Sequence, residues 1–167
     1  MEWVTTHIKS PLGDLLVVLE GEVVIGLDFA DGAARLARLL GKQHSPRVRT
    51  EVPAAPHMQR VLDAYFEGDL NALNQVPVRL GGTEFQRRIW GALRDIPAGA
   101  VTSYGALARQ IGAPNASRAV GLANGSNPIA LILPCHRVIG ANGTLTGYAG
   151  GLTRKEWLLR HEGALLI

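Results

Sequence analysis

A chain of 167 residues with 47% hydrophobic and 19% charged residues can bury one core or two small ones, which excludes a disordered or low-complexity protein. Its single cysteine excludes an internal disulfide and any zinc site built on several thiolates, and points to a reducing, cytoplasmic compartment. The net charge of +3 is unevenly divided: residues 1–80 hold 8 Lys/Arg against 10 Asp/Glu, and residues 81–167 hold 9 against 4. The basic half suits a polyanionic partner.

The first third reads as a small α+β unit. Trp3 to Ile8, Asp14 to Leu19 and Glu22 to Phe29 are rich in Val, Leu and Ile and are expected as strands. Ser10-Pro11-Leu12-Gly13 and Glu20-Gly21 supply turns, so an antiparallel meander is expected. Asp31 is a candidate cap for a helix carrying Leu36, Leu39 and Leu40 on one face. The polar segment from Lys42 to Pro56 holds three prolines and is expected as a loop. A second helix follows, with Met58, Val61, Leu62, Tyr65 and Phe66 spaced as one buried stripe and Gly68 as its stop. Val76 to Leu80 reads as a last strand or an extended linker. Nothing in this half suggests chemistry.

Gly81-Gly82 marks the expected boundary between domains 1–80 and 81–167. Thr83-Glu84-Phe85-Gln86 has the form of a capping box, opening a helix that turns Phe85, Ile89, Trp90 and Leu93 inward. The closing helix has the same form at Thr153-Arg154-Lys155-Glu156, with Leu152 placed to staple onto Trp157. Between them a short helix runs through Ile111, turns at Gly112-Ala113-Pro114, and is followed by a second helix capped by Asn115. That is a helix-turn-helix layout. The second helix is lined with Ala116, Ala119, Gly121, Ala123 and Gly125. Such a face lets a backbone approach another surface closely, whether a packed helix or a nucleic acid. Arg118 near its start adds positive charge where the amide dipoles already favour anions.

After Asn127-Pro128 comes an apolar run, Ile129 to Leu133, long enough for a buried strand. It ends in Pro134, which cannot donate to a sheet, so Cys135 is expected at a fixed turn. His136 and Arg137 follow at once and are candidate activators, because nearby cations favour the thiolate, a strong soft nucleophile. Farther on, Ile139 to Gly143 reads as a turn, and Gly147-Tyr148-Ala149-Gly150-Gly151 as a glycine-rich loop around one aromatic.

Pro134-Cys135-His136-Arg137-Val138, preceded by Asn127-Pro128, resembles the active-site motif of the O6-alkylguanine-DNA alkyltransferases. Ser103-Tyr104-Gly105, Ser117-Arg118-Ala119-Val120-Gly121, Tyr148-Ala149-Gly150-Gly151-Leu152 and Lys155-Glu156-Trp157-Leu158-Leu159 agree with that family in order and spacing. Ser10-Pro11-Leu12-Gly13 and Tyr65-Phe66-Glu67-Gly68 carry the resemblance into the first half. It implies an α+β fold: a small N-terminal antiparallel sheet with helices, then a mainly helical C-terminal domain containing the helix-turn-helix.

The implied activity is DNA repair by direct reversal, in which an alkyl group moves irreversibly from O6 of guanine to the cysteine. O4-alkylthymine is left open as a second substrate. The resemblance assigns catalytic roles to Cys135, to His136 acting through a water, to Glu162 orienting that histidine, to Asn127 in a structural hydrogen-bond role, and to Tyr104 as proton donor to the departing base. It implies that the target nucleotide is flipped out of the duplex. A minor-groove helix bearing Ser117, Arg118, Ala119, Gly121 and Ala123 would then fill the vacated stack with Arg118. Val138, Tyr148 and Ala149 would line the base pocket. Some members hold zinc through N-terminal cysteines that this chain lacks, so neither metal nor other cofactor is expected. The expected partner is double-stranded DNA, met by a monomer away from any membrane.

Two other readings compete. A cysteine hydrolase would need a directly paired base, which adjacent Cys135 and His136 make awkward. A lesion sensor would bind alkylated DNA without changing it.

Overall fold

The computed structural model describes residues 2–164. The chain forms two compact units: one takes it up to Gly82 together with Pro128–Ile132, the other takes Thr83–Asn127 and continues from Leu133.

In the first unit, β1 (Trp3–Ile8), β2 (Leu15–Glu20) and β3 (Val23–Phe29) form the expected antiparallel meander. The sheet is not wholly antiparallel. A fourth strand, β4 (Arg49–Glu51), pairs parallel with β1 inside the segment expected to be a loop, giving the order β3-β2-β1-β4. All three β4 residues are exposed, so main-chain pairing rather than an apolar face defines it. Helix α1 (Ala33–Gln43) buries Leu36, Leu39 and Leu40, and a core cluster joins Leu36 and Leu40 to Trp3, Val18 and Ile25. Asp31 does not cap α1. It lies in a 3-10 turn, Ala30–Gly32, that runs directly into the helix, and Gly32 holds the cap position without a side-chain bond. Helix α2 (Pro56–Phe66) buries Met58, Leu62 and Tyr65, with proline at its first position, where the missing N–H costs nothing.

The expected last strand is an extended segment with one bridge, Val24 to Val78. Glu20, buried at the end of β2, is paired with Arg47 and Arg79, so the charge removed from water has partners. The Ile129–Leu133 run is buried but is not a strand. Ile129 makes a single bridge to Leu27, and Leu131 has φ of 69°, which no strand residue can adopt. The run turns at Ala130–Ile132 and so re-aims the chain before Pro134.

The second unit is mainly helical. In α3 (Glu84–Arg94) both bonds of the capping box are present, between the Thr83 side chain and the Gln86 backbone and between the Gln86 side chain and the Thr83 backbone. Strand β5 (Thr102–Ser103) leads into α4 (Tyr104–Gln110), whose first turn is capped by the Ser103 hydroxyl accepting from Ala106 N–H. Gly112 at φ of 79° closes α4, its N–H donating to Arg109 while Ala113 donates to Ala108. A side chain would be strained in that left-handed turn. Helix α5 (Ser117–Gly125) follows and completes the helix-turn-helix layout. Asn115 is not its cap, because Ala116 holds that position and its carbonyl accepts from Val120. Trp90 of α3 donates its indole N–H to the Ala123 carbonyl at 2.9 Å and fixes α5 from behind.

The closing helix, α6 (Leu152–His161), starts one residue before the expected cap. Gly151, at φ of 95°, lets the backbone enter the helix there. Thr153 falls inside the first turn, and Leu152 is exposed rather than stapled. No helix among the described residues is long and apolar enough to cross a membrane.

Candidate active site

Cys135 opens a 3-10 turn, Cys135–Arg137, that continues into β6 (Val138–Ile139). Pro134 holds the entry, and Cys135 N–H donates to the Leu133 carbonyl at 2.7 Å. The Leu133 carbonyl also accepts from the Asn127 side-chain amide at 2.7 Å, so Asn127 ties the start of the segment to the residue before Pro134. The Cys135 carbonyl accepts the N–H of Val138 and, at 3.5 Å, the Asn124 side chain. The thiol therefore stands on backbone bonded at nearly every position, and its residue is 8% exposed.

His136 is fully buried, with Nε2 2.9 Å from Glu162 Oε2. Glu162 stands just past the end of α6, and Arg137 grips it with two bonds of 2.8 Å, from Nε to Oε1 and from Nη2 to Oε2. The Arg137 Nη1 donates to the Ile96 carbonyl at 2.5 Å. Burial alone would raise the Glu162 pKa, but the bonds from Arg137 and His136 outweigh it and hold the carboxyl well below the usual range. Burial lowers the pKa of His136 more than Glu162 raises it, since Arg137 already balances that carboxylate. The imidazole is thus neutral near pH 7. An ionised Glu162 can only accept, so Nε2 carries the hydrogen and Nδ1 carries the lone pair. Nδ1 is buried and bonds to no protein group among the described residues, so its lone pair is not taken up by the protein.

Arg137 clamps Glu162 through its Nε and Nη2 bonds. A cation that feels the charge of Cys135 is Lys155. It lies fully buried on α6, and its ammonium donates to the Val138 and Thr146 carbonyls at 2.6 Å each. Burial lowers its pKa, and the Cys135 charge raises it part of the way back. In sequence Lys155 has no role of its own within the expected capping box or the matching motif, although it shares one helical stripe with Leu158, Leu159 and Glu162. Charged residues on a stripe with the buried Leu158 and Leu159 are the available signal.

Tyr104 begins α4, and β5 pairs parallel with β6 just before it, Thr102 with Val138 and Ser103 with Ile139. The Tyr104 hydroxyl accepts from Thr146 Oγ1 at 3.3 Å, which leaves the phenol proton for another acceptor. Thr146, Lys155 and Val138 thus link Tyr104 to the cysteine turn. Gly121 of α5 faces the Tyr104 ring, and a Cβ there would lie 3.7 Å from it. The Tyr148 ring is edge-on to His136 with centroids 6.5 Å apart, while Ala149 is exposed on the neighbouring loop.

Ser117, Arg118 and Ala119 are exposed together on α5. Ala123, expected on that face, is buried against α3, with its carbonyl bonded to Trp90. It belongs to the packed side of α5. The site thus gathers Cys135, His136, Glu162, Asn127, Val138, Tyr104 and Tyr148, with Lys155 and Arg137 added. Ser117, Arg118 and Ala119 stand apart on a solvent face.

Two family models match the chain. Residues 4–80 match the ribonuclease-like domain of 6-O-methylguanine DNA methyltransferase, and residues 84–164 match its DNA binding domain. A methylated-DNA–protein-cysteine methyltransferase of Shigella flexneri is 47% identical over 96% of this chain and 95% of its own length. One from Salmonella typhimurium is 48% identical over the same shares. The crystal structure of Mycobacterium tuberculosis O6-methylguanine methyltransferase superposes with a TM-score of 0.81 at 44% identity, covering 97% of this chain and 93% of that one. A structure from the same organism in complex with DNA has a TM-score of 0.81 at 45% identity, covering 96% and 93%.

Proposed function

The chain belongs to the 6-O-methylguanine DNA methyltransferase family, a DNA-repair enzyme that transfers alkyl groups from DNA to a cysteine, and from that premise we propose how its residues divide the work. Cys135 is the acceptor, being the only thiol in the chain. Its proton passes through a water to Nδ1 of His136, and the imidazolium so formed is stabilised by Glu162. The sulfur lone pair attacks the alkyl carbon at O6 of guanine, the carbon–oxygen bond breaks, and its electrons leave with the base. Tyr104 donates its proton to that base, so guanine departs neutral rather than as an anion. Asn127 holds the cysteine segment, and Val138, Tyr148 and Ala149 line the base pocket. The observation that carries this reading is the buried His136–Glu162 pair, which leaves the Nδ1 lone pair unused by the protein, next in sequence to the sole cysteine.

A base inside a duplex cannot reach a largely buried sulfur, so the nucleotide is flipped out. α5 enters the minor groove with Ser117, Arg118 and Ala119 foremost, and Arg118 fills the vacated stack. Residues 1–80 serve as scaffold, and residues 81–167 bind DNA and carry the chemistry. The protein acts as a monomer in the cytoplasm, on the nucleoid in a bacterium.

The product is a thioether. Thiol exchange cannot reverse it, because that chemistry requires a disulfide, and the chain has no second cysteine. Each molecule therefore acts once. The test titrates a fixed amount of protein with excess O6-methylguanine duplex and follows intact mass. Repair stops at one methyl group per active chain, located on the Cys135 peptide. Repair beyond one equivalent, or methyl transfer by Cys135→Ser, overturns the mechanism.

A further inference from the structure

The exposed face of α5 is not made of small residues alone. Leu122 is 71% exposed, the second most exposed of the large hydrophobic residues described. It follows Arg118 by four residues and Ala119 by three, so the three share one helical face. Val120, Ala123 and Asn124 point the other way and are buried. Leu122 therefore adds nothing to the core, and it stands one turn from the arginine assigned to the vacated stack.

We propose that Leu122 reads the base pairs flanking the lesion and favours A·T over G·C. The inference rests on the assignment of α5 to the minor groove. One helical turn advances about 5.4 Å, or one to two base-pair steps, so Leu122 meets pairs next to the flipped nucleotide. In the minor groove both pairs present the N3 and O2 acceptors, but only G·C adds a guanine amino donor on the groove floor. An isobutyl group cannot accept that hydrogen bond. Covering the amino group removes its water and supplies no partner, whereas A·T offers the leucine a smoother, more apolar floor. The surplus of basic residues in this half of the chain supplies sequence-independent affinity, and Leu122 adds the discrimination.

The experiment uses short duplexes with one O6-methylguanine, identical except for the two pairs on each side, which are A·T or G·C. Alkyl-transfer rates are measured for wild type, Leu122→Ala and Arg118→Ala, each divided by the same protein's rate with free O6-benzylguanine. Easier opening of an A·T-flanked lesion acts equally on wild type and Leu122→Ala, so the quantity read is the change in the A·T to G·C ratio. That ratio should fall roughly fivefold in Leu122→Ala. An unchanged ratio, with duplex repair selectively lost in Arg118→Ala, overturns the role of Leu122 and leaves α5 in the groove. No selective loss of duplex repair in Arg118→Ala overturns the placement of α5, and the role of Leu122 with it.

Discussion

His136 Nε2 lies 2.9 Å from Glu162 Oε2, and the same oxygen takes a 2.8 Å bond from Arg137. One carboxylate thus fixes the imidazole tautomer while neutralising a buried guanidinium. Glu162→Gln should damage both functions. Breaking one side of a buried pair leaves the other charge uncompensated, at a cost of about 3–5 kcal/mol. The amide can also donate to Nε2, which would move the imidazole hydrogen to Nδ1 and remove the base. Alkyl transfer should slow by about 10²-fold or more, measured on folded protein as a single-turnover rate with the free base. A near-normal rate would mean that Nδ1 takes no proton.

The pH dependence of stability follows from the same pair. His136 has a folded pKa below its ordinary 6.5, and Glu162 one well below its ordinary 4.5. In both cases the unfolded chain binds more protons than the folded one as pH falls, so acid favours unfolding. The histidine contribution is present above pH 6.5 and is lost progressively below it, and the glutamate contribution follows below pH 4.5. Asp28 works in the opposite sense, since burial raises its pKa from 3.8 and the folded state takes up that proton first. Thermal midpoints of wild type should begin to fall near pH 6.5. His136→Phe should flatten the first part of that fall and spare the part below pH 4.5. Parallel curves for the two proteins would show that His136 takes up its proton at the same pH folded and unfolded.

Tyr104→Phe removes the phenol proton and leaves the ring beside Gly121 in place. General-acid help of this kind contributes about 10²–10⁴-fold, and the loss should appear equally with duplex and free base. Thr146→Val tests the geometry separately. It removes the 3.3 Å bond to the Tyr104 oxygen but not the proton, and should cost much less. Comparable losses in the two variants would make the hydroxyl pair, rather than the phenol proton, the functional unit.

Regular features were legible wherever a local rule met no tertiary competitor. The meander, the α2 stripe and the Thr83 capping box follow from alternation, helical spacing and a side-chain bond made within one turn. Asn115 and Thr153 have the right chemistry for caps but the wrong backbone, because Ala116 and Gly151 already carry the chain into α5 and α6. Ile129–Leu133 has strand composition, yet the left-handed turn at Leu131 is a property of where the chain must go next. β4 has no apolar face to announce it. At the site, Cys135 and His136 were legible as a motif, and Glu162 through the family resemblance. The grip of Arg137 depends on a partner 25 residues away, and the burial of Ala123 on a tryptophan 33 residues away, which spacing does not reveal.

Lys155 carries the last prediction. Its ammonium is buried on α6 and bonded at 2.6 Å to the carbonyls of Val138 and Thr146, one beside the cysteine turn and one beside Tyr104. It also feels the Cys135 charge. A positive charge there favours thiolate over thiol, since opposite charges in a poorly solvated site attract strongly. Lys155→Met keeps the length and apolar stem but leaves two carbonyls without their donor, at about 1–3 kcal/mol each. Two separate readouts follow. The unfolding midpoint should drop because of the orphaned carbonyls. The pH midpoint for alkylation of Cys135 by iodoacetamide should rise, because the thiolate has lost its nearby cation. Lys155→Arg keeps the charge and should hold that midpoint close to wild type, even where its wider head group disturbs the carbonyls and lowers stability. If Met and Arg variants lose stability alike and neither moves the thiol titration, Lys155 is a structural strut and the thiolate owes nothing to its charge.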